Sequence, residues 1–290
     1  MVIVKLMGGM GNQMFQYAFG RSLSLKKGVT LKLDLNFLLD RTPKKNFVFR
    51  DYDLTIFNCK PQILIEEEKK SFFGSFIMGN KYFNKFLPVK NRKFYTERHF
   101  EYDTNVDKFN EDIYLEGYWQ SYKYFSEFES TIRKDFCFKS KFNEEEEVIN
   151  QKILSTNSVC INVRRTDFLI NSFHGVCNEE YFYKGLNYIN NSESELNVFV
   201  FSDDIEWCKN NLNFAFPTTF VDHEYAGEKF QSYLQLMTNC KHFIIPNSSF
   251  GWWAAWLADF SKKIVVAPEK WFSDSNINTK DLIPHDWIRI

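Results

Sequence analysis

One stretch of the sequence decides the fold class, and it reads Ser158-Val159-Cys160-Ile161-Asn162-Val163-Arg164-Arg165-Thr166-Asp167. Its first six residues form a mainly apolar run of strand length, and two arginines follow directly. Further apolar strands are predicted at 198–201, 219–221, 243–245 and 264–266, with helices at 179–189, 203–212, 228–238 and 250–260. Apolar strands that alternate with helices through short links indicate a parallel sheet covered on both faces.

The beginning of the chain shows the same alternation. A strand is predicted over 2–6, then a glycine turn and a helix to about Lys27, then a strand over 29–35. Asn143 is the predicted N-cap of a helix that begins with four glutamates, which favour a helix N-terminus. We therefore predict two α/β domains, 1–142 and 143–290. The region 40–112 shows no assignable pattern, and a further strand is predicted at 113–116.

Composition and charge exclude several classes of protein. The 290 residues include 36 Lys and Arg against 37 Asp and Glu, and a net charge of −1 gives no sign of a nucleic-acid-binding face. The six cysteines form no CxxC motif and the five histidines no HxxxH motif, so no metal site is expected. Neither a signal peptide nor a membrane-spanning run is visible, which predicts a cytoplasmic protein.

Two arginines stand where a parallel sheet binds its ligands. Ligands of open α/β sheets lie outside the carboxyl ends of the strands, and Arg164 and Arg165 follow such an end. A guanidinium group binds phosphate oxygens through two parallel hydrogen bonds. Since successive side chains of an extended backbone point oppositely, we expect one arginine to face a ligand. The other would meet a carboxylate, for which Asp167 is the candidate; the alternative is a purely structural Arg–Asp pair.

Acidic residues follow the next predicted strand. Asp203 and Asp204 stand directly after 198–201 and Ser202. A carboxylate at this place can accept hydrogen bonds from a ribose or from a guanine edge. The alternative for one of the two acids is a helix N-cap.

Hydroxyl groups open the most apolar helix of the chain. Ser248 and Ser249 precede Phe250 at the beginning of the predicted helix 250–260. Hydroxyls and free N–H groups at a helix N-terminus form an anion site, although a plain serine N-cap is the simpler alternative. Together with the arginines and the acids, these residues predict a site for a nucleotide diphosphate.

The glycine turn of the first domain partly matches a dinucleotide-binding motif. Gly9 and Gly11 fit the GxGxxG pattern and Asp34 ends the next strand, but Met14 occupies the third glycine position. An NAD-type oxidoreductase is therefore one alternative function. Small residues at this turn also let a substrate approach the backbone closely.

Five motifs in this order resemble the bacterial α-1,2-fucosyltransferases of glycosyltransferase family 11. They are Gly8-Gly9-Met10-Gly11-Asn12-Gln13-Met14-Phe15-Gln16-Tyr17-Ala18, Gly117-Tyr118-Trp119-Gln120, Val163-Arg164-Arg165-Thr166-Asp167, Phe201-Ser202-Asp203-Asp204 and Ser248-Ser249-Phe250-Gly251-Trp252-Trp253-Ala254-Ala255-Trp256-Leu257. The resemblance covers most of both domains and is weakest over 40–112. It implies an α/β fold of GT-B type, with two Rossmann-like domains facing across a cleft.

The resemblance also implies an activity. It implies an inverting galactoside 2-α-L-fucosyltransferase that moves L-fucose from GDP-β-L-fucose to the 2-hydroxyl of a galactose-containing acceptor, without a metal or other cofactor. The expected partners are GDP-fucose and a galactose-terminated oligosaccharide or glycan precursor. The expected location is the bacterial cytoplasm, with a peripheral position at the inner membrane as the alternative. A non-catalytic carbohydrate- or nucleotide-binding protein of the same fold is the other alternative function.

The same resemblance assigns roles to individual residues. Arg164 would bind the β-phosphate of GDP. The expected catalytic set is Arg164, Asp167 and His174, of which the last two are candidates for the base that do not come from the resemblance. The donor-binding set is Asn162, Arg164, Arg165, Asp203, Asp204, Ser248, Ser249 and Phe250. The set on the fucose and acceptor side is Gly9, Gly11, Asn12, Gln13, Asp34, Trp119 and Gln120. These residues all lie in the first domain, which is therefore expected to bind the acceptor.

One position departs from the family pattern, and one role is left open. Asn162 stands where the family usually has a histidine, so a titratable role is lost there, while a contact with the nucleotide can survive. The group that accepts the proton of the acceptor hydroxyl is not identified, and the candidates are Asp34, Asp167 and His174.

Overall fold

The chain forms two compact units. A computed structural model describes residues 1–43, 48–74, 84, 86–170, 175, 177–274 and 276–290, except for the side chains of Asp167 and Ile170. The first unit comprises Met1–Cys137 and Asn278–Leu282, and the second comprises Phe138–Ile277 and Ile283–Ile290. The sequence-based boundary after residue 142 therefore lies inside the second unit.

A short C-terminal segment belongs to the first unit, although the sequence placed it in the second domain. Within Asn278–Leu282, the carboxylate of Asp281 accepts the Tyr102 N–H at 3.0 Å and pairs with the amine of Lys123. This return of the chain depends on contacts between residues far apart in sequence. Local patterns did not indicate it.

The first unit is built on a five-stranded sheet in which all paired strands are parallel. Its strands, in the spatial order β3-β2-β1-β5-β4, are β1 (Val2–Lys5), β2 (Leu31–Asp34), β3 (Gln62–Ile63), β4 (Phe94–Thr96) and β5 (Ile113–Glu116). The α-helices of its described part are α1 (Met10–Lys27), α2 (Asn36–Leu39), α3 (Glu66–Phe73) and α4 (Glu129–Asp135). Short 3-10 helices lie at Leu54–Ile56, Val89–Asn91, Thr104–Lys108, Tyr122–Tyr124 and Ser126–Phe128.

The second unit contains a six-stranded sheet, which is also parallel throughout. Its strands, in the order β11-β10-β9-β6-β7-β8, are β6 (Asn157–Val163), β7 (Leu196–Ser202), β8 (Thr218–Phe220), β9 (His242–Ile244), β10 (Val265–Ala267) and β11 (Ile288–Arg289). The α-helices of the described part are α5 (Glu144–Ser155), α6 (Thr166–Ile170), α7 (Glu179–Asn190), α8 (Ile205–Asn211), α9 (Gln231–Thr238) and α10 (Ser249–Leu257). A 3-10 helix lies at His223–Tyr225.

The predicted strand 158–163 is β6, which lies at the centre of the second sheet. β6 pairs with β7 on one side and with β9 on the other. Val159 and Ile161 are completely buried, as is Val200 on the neighbouring strand. Each such side chain contributes about 1.5–3 kcal/mol through burial. The prediction of a parallel sheet with apolar central strands is confirmed.

Helix boundaries follow local hydrogen bonds. The predicted cap of α5 is confirmed, since Asn143 Oδ1 accepts the Glu146 N–H at 2.8 Å and Glu146 Oε2 accepts the Asn143 N–H at 2.9 Å. α10 ends at Leu257 rather than near residue 260, since Ala258 is extended with a ψ of 134°. The amine of Lys263 donates to the carbonyls of Ala255 and Ala258, both at 2.7 Å. No helix in the described ranges is long and apolar enough to cross a lipid bilayer.

Candidate functional site

The carboxyl edge of the second sheet brings four predicted charged residues together. Arg164 and Arg165 follow β6 directly, and Asp203 and Asp204 follow β7. These two strands are neighbours and their last residues are in register. The motifs that were separate in the sequence therefore form one cluster, in agreement with the position expected for ligands of such a sheet.

Asp203 organises the backbone that carries the arginines. Its Oδ1 accepts the Arg165 N–H at 2.9 Å, and its Oδ2 accepts the Thr166 N–H at 3.1 Å and the Thr166 hydroxyl. Oδ2 also lies 3.2 Å from Nη1 of Arg164. Either Asp203 or Asp204 was expected to bind ribose or guanine; in the structure the Asp203 carboxylate holds 164–166. An arginine–carboxylate pair was expected, with Asp167 as the candidate; the structure pairs Arg164 with Asp203.

Arg165 and Asp204 form a structural pair. Asp204 is the N-cap of α8, where its Oδ1 accepts the Trp207 N–H at 3.3 Å. The guanidinium carbon of Arg165 lies 3.6 Å from the centre of the Trp207 ring, and its Nε lies 3.5 Å from Asp204 Oδ2. The N-cap alternative thus applies to Asp204, and Arg165 joins β6 to α8.

Exchange of Arg165 for lysine is expected to lower the free energy of unfolding by about 1–2 kcal/mol, because an ammonium group cannot stack on Trp207 as a planar guanidinium does. Urea unfolding at pH 7 measures this loss. As a control, Lys184→Arg changes an exposed cation that pairs with Glu180 and should shift stability by less than about 0.5 kcal/mol. Equal stability of R165K and the wild type would contradict the structural role.

Arg164 is held but keeps a face toward solvent. Its side chain is 27% exposed although Asp203 lies at 3.2 Å, and its guanidinium carbon lies 5.7 Å from the Phe168 ring centre. The anchored arginine has five N–H donors. It can therefore present donors to an anion in a fixed direction, which is the role that the resemblance implies for this residue.

Asn162 faces the beginning of α10. Its Nδ2 donates to the Phe201 carbonyl at 3.2 Å, and a Cβ atom on Gly251 would lie 2.7 Å from its Oδ1. Only glycine at position 251 permits this close approach, since real Cβ atoms do not come so near. Asn162 is buried, and in this structure it joins β7 and α10 to the end of β6.

The first turn of α10 is capped by its own serine. Ser248 is the N-cap, and its Oγ accepts the Phe250 N–H at 3.4 Å. The N–H of Phe250 was expected to face a phosphate, but here it is used within the cap. Ser248, Ser249 and Phe250 are all partly exposed, so the turn is accessible at the same sheet edge as Arg164.

Two of the three predicted catalytic residues cannot be placed. His174 lies outside the described residues, and so does the side chain of Asp167. Among the residues that the structure describes, no group of three or more His, Cys, Asp or Glu side chains is arranged to hold a metal ion.

The glycine turn of the first unit is tied down by the buried side-chain amide of Gln13. Gln13 Nε2 donates to the carbonyls of Gly8 and Asp51 at 3.0 and 2.8 Å, and its Oε1 accepts the Asp53 N–H at 2.9 Å. Gln13 is completely buried, so it fixes the turn that was expected to contact substrate. Gly9 is the N-cap of α1 and Gly11 lies buried in its first turn.

Asn12 and Gln120 come together at the carboxyl edge of the first sheet. Gln120 Nε2 donates to Asn12 Oδ1 at 2.8 Å, across 108 residues of sequence. Asn12 is partly exposed and Gln120 is buried. This pair joins the first motif of the chain to the GYWQ motif after β5, as two motifs of one site require.

Asp34 and Trp119 are buried in the first unit, where no acceptor would reach them. Asp34 Oδ2 pairs with Lys69 at 2.8 Å and accepts the Tyr114 hydroxyl at 2.7 Å. Burial opposes ionisation of Asp34, but these partners outweigh it and lower its pKa. Trp119 is completely buried and packs against Phe19 at 4.6 Å between ring centres. Asp34 and Trp119 therefore stabilise the fold, which corrects their assignment to the acceptor side.

Glu97 lies at the carboxyl edge of the first sheet, and the sequence interpretation missed it. It follows β4 directly, and its two carboxylate oxygens accept the N–H groups of Tyr118 and Trp119 at 2.6 and 2.9 Å. The signal was present, since a carboxylate after a strand is the pattern that identified Asp203. It was overlooked because β4 has only three residues and lies in the region without an assigned pattern.

Comparisons with known proteins agree with these motifs. The model of Glycosyl transferase family 11 matches residues 1–290. An alpha-1,2-colitosyltransferase of Escherichia coli is 33% identical over 296 residues, covering 100% of this chain and 98% of the relative. The O-antigen biosynthesis glycosyltransferase WbnK of Escherichia coli is 31% identical, with 98% and 99% coverage. Human galactoside alpha-(1,2)-fucosyltransferase 1 is 29% identical over 160 residues, which are 50% of this chain and 42% of the human protein.

Solved structures support the fold. Arabidopsis thaliana FUT1, in a mutant form bound to GDP, superposes with a TM-score of 0.55 at 10% identity, covering 99% of this chain and 75% of that one. The NodZ alpha-1,6-fucosyltransferase soaked with GDP-fucose gives a TM-score of 0.53 at 12% identity, with 89% and 92% coverage. The predicted α/β fold of GT-B type is confirmed.

Proposed function

We propose, since this chain belongs to glycosyltransferase family 11, that it transfers L-fucose from GDP-β-L-fucose to the 2-hydroxyl of a galactose-containing acceptor. The product is an α-1,2 linkage, formed with inversion at the anomeric carbon. Membership in the family places the chain among glycosyltransferases, so the NAD-type oxidoreductase is set aside. Colitose is the alternative sugar, because a relative over the full chain is named for its transfer.

The observation that carries this proposal is the anchored arginine beside a helix start. Asp203 holds Arg164 and the N–H groups of 165 and 166, while α10 begins at the neighbouring Ser248 cap. A nucleotide diphosphate needs cationic donors fixed in direction at the carboxyl edge of a parallel sheet. This edge of the second unit provides them, so we assign the donor to it.

The proposed reaction is a single displacement. The acceptor oxygen attacks the anomeric carbon from the face opposite GDP, and the bond from that carbon to the phosphate oxygen breaks with its electron pair leaving on GDP. Negative charge grows on the β-phosphate, and Arg164 stabilises it through hydrogen bonds already in place. In this proposal Arg164 supplies the cationic charge, and transfer proceeds without a metal ion.

The first unit supplies the acceptor side in this proposal. The Asn12–Gln120 pair and the N-cap of α1 lie at the carboxyl edge of its sheet. Their amides and backbone groups can hydrogen-bond to sugar hydroxyls. Gln13 supports the turn from beneath and does not contact the sugar.

A product assay tests the proposal. The protein is incubated with GDP-fucose or, separately, GDP-colitose, with lactose as acceptor and EDTA present, and products are resolved by mass and linkage. A 2′-fucosylated lactose would support donor, linkage and metal independence together. A product formed from GDP-colitose but not from GDP-fucose would show that colitose, not fucose, is the transferred sugar. GDP binding without any product on a panel of galactosides would favour the non-catalytic binding protein.

A further inference from the structure

Glu97 occupies a fixed position at the carboxyl edge of the first sheet. Its N–H donates to the Glu116 carbonyl at 2.8 Å, which continues the pairing of β4 with β5. Its carboxylate then accepts the N–H groups of Tyr118 and Trp119 from the turn after β5. Two hydrogen bonds from the backbone leave the carboxylate little freedom to rotate.

Gly117 allows the carboxylate to lie against this turn. A Cβ atom at position 117 would lie 2.8 Å from Oε2 of Glu97 and would also collide with the Glu97 Cβ. Trp119 adopts a φ of 56°, in the left-handed region, and its N–H donates to Oε1 of Glu97. The turn is thus shaped around the carboxylate.

The same turn is connected to the glycine motif of the first strand. Gln16 Nε2 donates to the Gly117 carbonyl at 3.1 Å, and its Oε1 accepts the Met7 N–H at 3.0 Å. Gln120 donates to Asn12. Glu97 therefore lies in one hydrogen-bonded assembly with the residues proposed to receive the acceptor.

Glu97 differs from the other carboxylates of this edge in its lack of a cation. Asp34 pairs with Lys69 at 2.8 Å, and Glu116 pairs with Lys5 at 2.7 Å. Within the described part of the chain, Glu97 has no ion-pair partner. Its two hydrogen bonds occupy two of about four acceptor positions of a carboxylate, so it can accept another proton donor.

The surroundings favour a carboxyl group that changes its charge near neutral pH. Burial raises the pKa of Glu97 to about 7, against the lowering effect of the Tyr118 and Trp119 N–H groups. The nearby charge of His99 lowers this pKa, and that of Asp103 raises it. Two tyrosines also feel the charge of Glu97, since Tyr118 and Tyr124 each have a pKa raised first by burial and further by Glu97.

We propose that Glu97 is the general base that accepts the proton of the acceptor hydroxyl. As the oxygen–anomeric carbon bond forms, the hydroxyl proton passes to Glu97, and the electron pair of the broken bond leaves on GDP. This inference rests on the proposed transferase function. Of the earlier candidates, Asp34 is already engaged by Lys69 and Tyr114.

The first test compares pH profiles of kcat/KM for the acceptor, at saturating GDP-fucose, in the wild type, Glu97→Gln and Glu116→Gln. We expect an acid limb with an apparent pKa near 7 in the wild type and in E116Q, because the base must be deprotonated. E97Q should lose this limb and lower kcat about a hundredfold, with unchanged GDP affinity. A wild type without an acid limb, or E97Q with an unchanged one, would overturn the proposal.

A second readout separates catalysis from damage to the turn. Formate should restore part of the rate of Glu97→Ala by serving as a small base, which a purely structural defect would not allow. Failure of formate to raise the rate of a folded, GDP-binding E97A protein would count against Glu97 as the base.

Stability against pH reports the carboxyl group without any substrate. Because the folded pKa of about 7 exceeds the ordinary 4.5, the native state binds more protons between these values, and stability falls as pH rises through them. E97Q should lack this fall. Its absence in the wild type would contradict the inference; failure of the wild type to transfer any sugar would overturn the proposed function and the base together.

Discussion

Replacing Arg164 with alanine is expected to lower the rate of transfer by about 10²–10³-fold, the usual loss when one preorganised donor to a developing negative charge is removed. The side chain lies at the carboxyl end of β6, where Asp203 anchors it and leaves 27% of it exposed. In the proposed reaction, its loss removes the cation that stabilises the leaving β-phosphate. Steady-state kinetics with GDP-fucose and the acceptor measure the effect as kcat and as kcat/KM.

Two further variants separate the shape of the cation from its charge. Arg164→Lys should recover only part of the rate, since an ammonium group lacks the planar pair of donors. Lys184→Ala removes an exposed cation of the same unit and should leave the rate unchanged. Full activity of a correctly folded R164A protein would remove Arg164 from the donor site.

Asp203→Ala is expected to destabilise the second unit by about 2–3 kcal/mol and to reduce activity as well. The substitution leaves the Arg165 and Thr166 N–H groups without their acceptor and releases Arg164. Hydrogen bonds to a charged group contribute about 1.5–3 kcal/mol, and partial exposure of Arg164 reduces the value of the ion pair. Urea unfolding and kinetics on the same samples give both quantities.

Asp204→Ala is the matched control for this change. It removes the N-cap of α8 and should cost about 1 kcal/mol, with a smaller effect on activity. Because Asp203 acts on transfer through Arg164, the kinetic losses of D203A and R164A should not add in the double variant. Additive losses, or a D203A protein as stable and as active as D204A, would show that Asp203 does not position the arginine.

Much of the second unit could be predicted because its elements carry strong local signals. β6 and β7 are long and apolar, and the asparagine cap of α5 can be recognised from four neighbouring residues. β3 and β4 were not predicted, since they have two and three residues. Such strands form because β2 and β5 offer edges with which to pair.

The residues of the candidate site were predicted, but the role of each residue was predicted only in part. Arg164, Asp203 and Ser248 were singled out from strand ends and a helix start, and they do meet at one sheet edge. The sequence could not distinguish Asp203, which holds 164–166, from Asp204, which caps a helix. Adjacent identical residues have the same local pattern, and only their partners differ.

Local patterns were enough for the α/β class, for all strands of the parallel second sheet except β11, and for the resemblance to a glycosyltransferase family. These features depend on hydrophobic runs, caps and motifs, which act over a few residues. Three features followed only from the folded chain: Asp203 holds 164–166, Lys69 neutralises Asp34, and Glu97 faces the GYWQ turn. The reason is physical: charge, burial and hydrogen bonding of a side chain depend on partners that folding brings from distant parts of the chain.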